Sequence, residues 1–509
     1  MNTEQKKSKR VLSNWVKEEI KTADLGDKRL TTRLGSLLEM LSSKPSESIP
    51  VNSNGWYEAK AAYRFFDHDD VTAEKILQPH IDATIERIRK EPIVLLPQDT
   101  TELNYTGMPQ TQGLGKLNSE KQLGMLLHPT IAITPDRLCL GVVDSQILIR
   151  KELHRERAYD YLLPVIVFIL SKEYSNEMLF LSLLMSKSLK IPRPESLPIE
   201  SKESMRWLTS YRVAQKLAER FTETQFVSIA DREGDIYEIF VEAMTINNCH
   251  AQQAAFIIRC SKDRLLKNDK LDDKKSMKLK KKVAAAPVLG LIEFDIPASK
   301  TRKSRHITQE VRSISAQLYP ARREGFKLPP VTINVVFAKE INAPSGEDAI
   351  EWILLTSLPI DTAEKSVQVI MWYLCRWQIE IFFKILKSGC GVEKLQLQST
   401  DRLKPSLSLY MIIAWRILAM TMLGRNCPDI ACTSVFDDEE WRAVYIVVYR
   451  SPPPPIPPTL NEMIRMIASL GGYLNRKKDD PPGVKTIWTG LQRIKDFVMA
   501  MEALDASRK

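Results

Sequence analysis

Three carboxylates occupy positions from which they could do chemistry together. Asp99 follows the apolar run Pro92-Ile-Val-Leu-Leu-Pro97, and Asp231 follows Gln225-Phe-Val-Ser-Ile-Ala230. Short apolar runs of this kind read as buried strands, so each aspartate stands at the exit of one. Glu380 lies between Tyr373 and Gly389, a stretch with no proline and no interior glycine, which predicts one continuous helix. At about 100° per residue, Tyr373, Arg376, Glu380, Lys384 and Lys387 share an arc roughly 80° wide. Leu374, Ile379, Ile381, Phe382, Ile385 and Leu386 make the remainder of that helix apolar, the mark of a buried helix. Burying one carboxylate among three cations beside a phenol costs free energy unless those charges meet something. Two partners fit. Arg376 and Glu380 are an i,i+4 pair and can close an internal salt-bridge network. Alternatively the seam faces an anion and a metal ion, with the cations on phosphates and Glu380 on the metal.

Cutting a phosphodiester requires an activated oxygen nucleophile, an in-line leaving group and neutralisation of the charge between them. Two Mg²⁺ ions about 3.5–4 Å apart can serve all three needs. Mg²⁺ takes a few carboxylates plus water and phosphate oxygens, so Asp99, Asp231 and Glu380 suffice as ligands, and Mn²⁺ would substitute. None of His68, His80, His128, His154, His250 and His306 stands at metal-ligand spacing to another. Each carboxylate alone has a plainer explanation. A strand-end aspartate is commonly a turn former, and Asp231-Arg-Glu-Gly-Asp reads equally as a capped helix start. It is the triple, each member on an element that ends at a sheet edge, that points to a shared site.

The elements that would position this triple follow from the apolar pattern. Residues 1–90 read as helices over Asn14–Thr22, Lys28–Leu41, Gly55–Phe66 and Thr72–Arg89, decorated with Arg29, Arg33, Lys60 and Arg64. Leu126–Pro135 and Leu138–Ser145 are strand candidates after Asp99, Tyr211–Phe221 is a helix before the second aspartate strand, and Phe256–Cys260 is a strand after it. Val288–Ile296, Val311–Leu318 and Val331–Phe337 alternate as strands do, so residues 250–355 form a β-rich insertion ahead of the Glu380 helix. Pro405–Gly424 is one long apolar helix, Arg450–Pro458 is a stiff polyproline spacer, and Leu460–Leu470 and Thr486–Met501 are amphipathic helices. The fold class is therefore α/β: a ribonuclease-H-like mixed-sheet core with a β-rich insertion, flanked by helical N- and C-terminal domains.

With 509 residues the chain is long enough for two or three domains. Its net charge of +10 favours a polyanionic partner. From Arg259 to Leu328 there are 19 Lys/Arg against 8 Asp/Glu, so the excess is concentrated, although a lysine run such as Lys280–Lys282 is commonly a solvated loop. Seven cysteines without a Cys-x2-Cys pair argue against a disulfide scaffold or a zinc site and for a reducing cytosol. The N-terminus lacks the apolar stretch of a signal peptide, and no apolar run reads as a membrane span. The expectation is a soluble cytoplasmic protein.

Tyr-x2-Arg-x3-Glu-x6-Lys, filled by Tyr373, Arg376, Glu380 and Lys387, resembles the signature of a large family of bacterial insertion-sequence DDE transposases (insertion-sequence family four). Gln98-Asp99-Thr-Thr-Glu-Leu-Asn-Tyr, Ile229-Ala-Asp231-Arg-Glu-Gly-Asp and Glu351-Trp-Ile-Leu-Leu-Thr-Ser-Leu-Pro stand in the family's order before it. The resemblance runs from about residue 23 to residue 390 and is weakest after about 425. It implies that residues 1–75 are a helical DNA-binding domain using Arg29 and Arg64, that 76–428 are the catalytic domain with a separately folded insertion at about 250–355, and that 429–509 pair two protomers. It assigns the metal to Asp99, Asp231 and Glu380. It places Tyr373, Arg376, Lys387, Arg259 and Lys262 on DNA phosphates, with Lys384 a weaker contact, and makes Trp352 the wall of a pocket for a base turned out of the duplex. Stacking there would be worth roughly 1–3 kcal/mol, against the cost of unstacking. The implied activity is cut-and-paste transposition. A nick frees a 3′-OH, that hydroxyl makes a hairpin, and strand transfer follows, carried out by a homodimer on terminal inverted repeats at the nucleoid, with no membrane partner. Phe383 and Tyr237 stand where the best-known member of that family has histidines, so details of phosphate or metal-shell contacts would differ. Two alternatives stay open: a catalytically silent DNA-binding derivative, and a nuclease of the same fold that never joins strands.

Overall fold

A computed structural model describes residues 12–150, 197–245, 252–266, 277–296, 304–323 and 327–508. Five helices come first: α1 (Asn14–Glu19), α2 (Lys28–Ser43), α3 (Ile49–Asn52), α4 (Trp56–Phe66) and α5 (Ala73–Ile88). Asp27 and Thr72 cap α2 and α5 by accepting from the amides of Arg29 and Lys75.

The sheet follows. Strands β1 (Ile93–Pro97), β2 (Thr101–Asn104), β3 (Gly115–Lys116), β4 (Leu123–Ile133) and β5 (Cys139–Leu148) precede α6 (Met205–Arg220). Then come β6 (Gln225–Ala230), α7 (Tyr237–Thr245), β7 (Ala255–Arg259), α8 (Leu279–Ala284), β8 (Gly290–Ile296), β9 (Arg305–Leu318), β10 (Val331–Glu340) and β11 (Glu351–Thr356). β5 and β4 pair antiparallel, β4 runs antiparallel to β1, and β1, β6 and β7 are mutually parallel. This β5-β4-β1-β6-β7 arrangement is the ribonuclease-H-like core.

Both faces of that core are covered. Leu95, Val227, Ile229 and Ile257 point to one side and Val94, Leu96, Phe226, Phe256 and Ile258 to the other, each into its own apolar cluster. Strands buried on both faces read as continuous apolar runs rather than alternating ones, which is why β1 and β6 stand out in the sequence. One face carries α11 (Thr400–Asn426), the other α6 and α7. By length and hydropathy α11 is apolar enough to cross a membrane, but 83% of its most apolar window is buried inside the protein. Its apolar surface is therefore core surface.

The β-rich insertion is present, but it is not a separate sheet. β11 pairs with β7, and β10, β9 and β8 follow outward, so one sheet runs through core and insertion. Alternation along β8 to β10 reveals strands and is silent on which edge they join. The basic run falls partly on α8, and 267–276 lie outside the described residues.

The single helix expected from Tyr373 to Gly389 is broken. α9 (Ala363–Leu374) ends before Cys375, α10 (Trp377–Lys384) restarts at Arg376, and Ile385–Gly389 is a π-turn. Such turns interrupt helices at functional sites without any sequence breaker. Beyond α11, α12 (Asp438–Tyr449), α13 (Leu460–Leu470) and α14 (Val484–Arg508) close on Trp441, Ile464, Ile467 and Ile487. Cys427 and Cys432 do not bridge.

Candidate active site at the ends of two parallel strands

Asp99 and Asp231 leave adjacent parallel strands in step. Pro97 on β1 pairs with Ile229 on β6, so each aspartate comes two residues beyond a paired position, at the same end of the sheet. Local structure fixes both side chains. The Thr100 amide donates to Asp99 Oδ1 at 2.7 Å, and the Glu233 amide donates to Asp231 Oδ1 at 2.8 Å. The cap expected at Asp231 is therefore real and coexists with its place at the strand end.

The break after α9 delivers the third carboxylate. Arg376, at the start of α10, donates from Nη1 to Asp99 Oδ2 at 3.0 Å and from Nη2 to Glu380 Oε1 at 2.5 Å. The i,i+4 salt bridge and the proximity to the aspartates are thus one feature. Burial pushes the Asp99 carboxyl up to about 6; Arg376 opposes this, while Asp231 and Glu380 reinforce it by repulsion. Among the described residues no three Asp, Glu, His or Cys side chains stand at metal-sharing distance as they are, because the Arg376 fork lies between Asp99 and Glu380. The donor chemistry nonetheless suits a hard divalent cation: three carboxylates from the ends of β1 and β6 and from α10, the Asp99 carboxyl raised chiefly by burial.

The polar seam extends outward from there. Tyr373 is buried and bonded to Arg376 and Arg259, and burial raises its pKa. Arg259, opposite Leu354 on β11, also donates to the Glu351 carbonyl at 3.3 Å. Lys387 is carried by the π-turn onto β2, donating to the Glu102 carbonyl at 2.7 Å and pairing with Glu393 at 3.4 Å. Lys384 is exposed on α10, and Lys262 is exposed in the loop after β7. Trp352 stacks on Phe294 with ring centroids 5.5 Å apart and meets the edge of Tyr373 at 5.9 Å, so one of its faces is already covered by protein.

Arg29 and Arg64 are elsewhere. Arg29 is exposed and bound to its own cap residue Asp27, and Arg64 lies on the exposed face of α4 with Trp56, Tyr57 and Lys60. Phe383 and Tyr237 face the core: Phe383 packs near Phe382, and the Tyr237 hydroxyl donates to the Pro329 carbonyl. Sequence reasoning missed two exposed residues at the site, Arg232 beside Asp231 and Trp377 beside Arg376. Both were legible, the first as the neighbour of a strand-end aspartate and the second at the rim of the helical arc.

Two aspartates leave adjacent strand ends of a ribonuclease-H-like sheet, and Arg376 joins one of them, Asp99, to Glu380 on the helix beside them, an arrangement that fits a DDE polynucleotidyl transferase. Three family models match the chain: Transposase DNA-binding over residues 12–71, Transposase DDE domain over 242–415, and Transposase Tn5 dimerisation domain over 412–507. The chain belongs to the Tn5-like family of insertion-sequence DDE transposases. The DDE match holds Tyr373, Arg376, Glu380 and Lys387 but begins after Asp99 and Asp231, so those two rest on the strand register.

Proposed function

We propose that this DNA transposase excises and inserts its element by metal-dependent phosphoryl transfer: nicking to free a 3′-OH, hairpin formation, hairpin opening and strand transfer. The observation that carries this reading is that Arg376 bridges Asp99 and Glu380 while Asp231 leaves the neighbouring parallel strand in step with Asp99, near enough for its charge to act on it. Asp99, Asp231 and Glu380 would hold Mg²⁺, with Mn²⁺ able to replace it. Bound there, the ions would neutralise charge developing on the scissile phosphate and lower the pKa of an attacking water.

The chain's own groups do the rest. Arg376 shields the carboxylates from one another and, once a cation takes over that task, is free to turn its planar fork to a phosphate. Tyr373 and Arg259 form a donor pair beside it, and Lys387 and Lys384 extend the positive edge along the DNA backbone. Half-buried Trp352 and exposed Trp377 would offer their rings to a base displaced from the duplex. The N-terminal helices bind the inverted repeats, with Arg29, Arg64, Trp56, Tyr57 and Lys60 as the contact face; Lys262 touches the flanking backbone. The C-terminal helices pair two protomers in a synaptic complex. The place of action is the nucleoid, in the cytoplasm.

Supercoiled plasmid carrying the element's ends, incubated with Mg²⁺, tests this. Nicks, hairpins and joined products are expected from the wild type, while Asp231→Asn and Glu380→Gln bind ends without cutting them. Binding without nicks by the wild type would support a silent derivative, cleavage without joining a simple nuclease, and cleavage by either variant would overturn the site assignment.

A further inference from the structure

Behind the two aspartates runs a chain of polar side chains in which the direction of each hydrogen bond can be assigned. Gln98 and His128 are fully buried, Ser228 nearly so, and the Arg206 side chain is 10% exposed. Arg206 Nε donates to Thr100 Oγ1 at 2.8 Å. Thr100 Oγ1 lies 2.8 Å from His128 Nδ1, His128 Nε2 lies 3.2 Å from Gln98 Oε1, and Gln98 Nε2 donates to Ser228 Oγ at 2.9 Å. An amide oxygen only accepts, so His128 carries its proton on Nε2. Burial and the neighbouring Arg206 push the His128 pKa down to about 3, so the ring is neutral and Nδ1 must accept. The Thr100 hydroxyl therefore donates to it while accepting from Arg206. The bonds run in one direction from α6 through β4 and the end of β1 to β6, with the imidazole and the Trp207 ring packed edge-to-face, centroids 4.7 Å apart.

Two features give this chain a bearing on the site. Gln98 and Thr100 flank Asp99. At its other end Arg206 Nη2 donates to Glu233 Oε2 at 2.9 Å, and the amide of Glu233 is the donor that fixes Asp231. One guanidinium thus ties together the segments that carry both aspartates, from a third element. Arg206 touches neither carboxylate. Glu233 is 63% exposed, so its pair with Arg206 is largely screened, and a Thr–His bond in the core can be replaced by apolar groups at small cost.

We propose that Arg206 and the Thr100–His128–Gln98–Ser228 relay are positioning residues that set the separation of Asp99 and Asp231 so that the pair can share a divalent cation. The inference rests on the metal reading of the site given above. Outer partners of this kind typically change metal affinity or activity by about 10–100-fold when removed.

The test is Mn²⁺ binding followed by electron paramagnetic resonance and calorimetry on the full chain, alongside plasmid cleavage at graded Mg²⁺. Thr100→Val keeps the side-chain shape and deletes the hydroxyl, Thr100→Ser restores it, and Arg206→Lys keeps the charge but loses the fork. Thr100→Val and Arg206→Lys are expected to bind Mn²⁺ about 10–100-fold more weakly and to need correspondingly more Mg²⁺ for half-maximal cleavage. Their end binding should be unchanged, and Thr100→Ser should recover wild-type affinity within a few fold. Wild-type metal affinity in Thr100→Val, or weakened binding that Thr100→Ser fails to restore, overturns the proposal. A wild type that binds no more Mn²⁺ than Asp99→Asn overturns the metal reading itself and the brace with it, and is recognised before any relay variant is measured.

Discussion

Replacing Asp99 by asparagine should make the metal-free protein more stable, and by an amount that depends on pH. Asp99 is only 17% exposed, and its carboxyl is raised from 3.8 to about 6 because burial and the charges of Asp231 and Glu380 outweigh Arg376. The folded state therefore holds that proton more tightly than the unfolded chain does. The group's contribution to stability is fully present below about pH 4 and is lost as pH rises through about 6. About two pKa units at 1.36 kcal/mol each amount to about 3 kcal/mol. An asparagine side chain keeps the shape and carries no charge, so Asp99→Asn should match the wild type near pH 4 and exceed it by up to about 3 kcal/mol at pH 8. Urea unfolding in chelator at pH 4, 6 and 8 measures this. Mg²⁺ at about 1,000 times its Kd should then reverse the order, because such a ligand stabilises by about 4.1 kcal/mol and only the wild type retains the full ligand set. A pH-independent difference, or a variant less stable at pH 8, would refute the argument, since either would mean that the ion pair with Arg376 dominates the carboxylate's energy.

His80 should act in the opposite direction. It is wholly buried, its Nε2 accepts from the Val142 amide, its Nδ1 faces Glu19, and burial lowers its pKa. The unfolded chain therefore takes up a proton below about pH 6.5 that the folded one refuses, and stability falls by up to about 1.4 kcal/mol per pH unit. Urea midpoints of His80→Gln, measured in the Asp99→Asn background, should show a shallower loss from pH 6.5 to 5. Trp56→Ala with Tyr57→Ala should leave the melting temperature within about a degree, since both rings are 72% or more exposed. Affinity for end DNA in a gel-shift titration should fall about tenfold, the equivalent of 1.4 kcal/mol. Leu409→Ala, at a fully buried position of α11, should cost about 2–5 kcal/mol in thermal unfolding while leaving cleavage by the folded fraction intact.

The sequence by itself located most of the strands and helices, because burial on both faces or on one stripe leaves an apolar rhythm, but β2, β3 and α12 were not read from it and β9 and α6 begin six residues earlier than the pattern predicts. β6 and α13 have the bounds the pattern predicts, and β1 differs by one residue. It also determined the members of the candidate site, since strand-end aspartates and the Tyr-Arg-Glu-Lys spacing are local signals. Three matters were decided only by the tertiary structure. The break at Cys375 and the π-turn after Lys384 carry no breaker residue; they arise because Arg376 must reach Asp99 while Lys387 reaches β2. The insertion joins the core sheet because β7 offers an open edge to β11, and a strand's own sequence does not say which edge it will meet. The relay from Arg206 to Ser228 draws on α6, β1, β4 and β6, and its residues are separated by up to 130 positions. Periodicity reports which side of an element is buried, and only packing reports what that side touches.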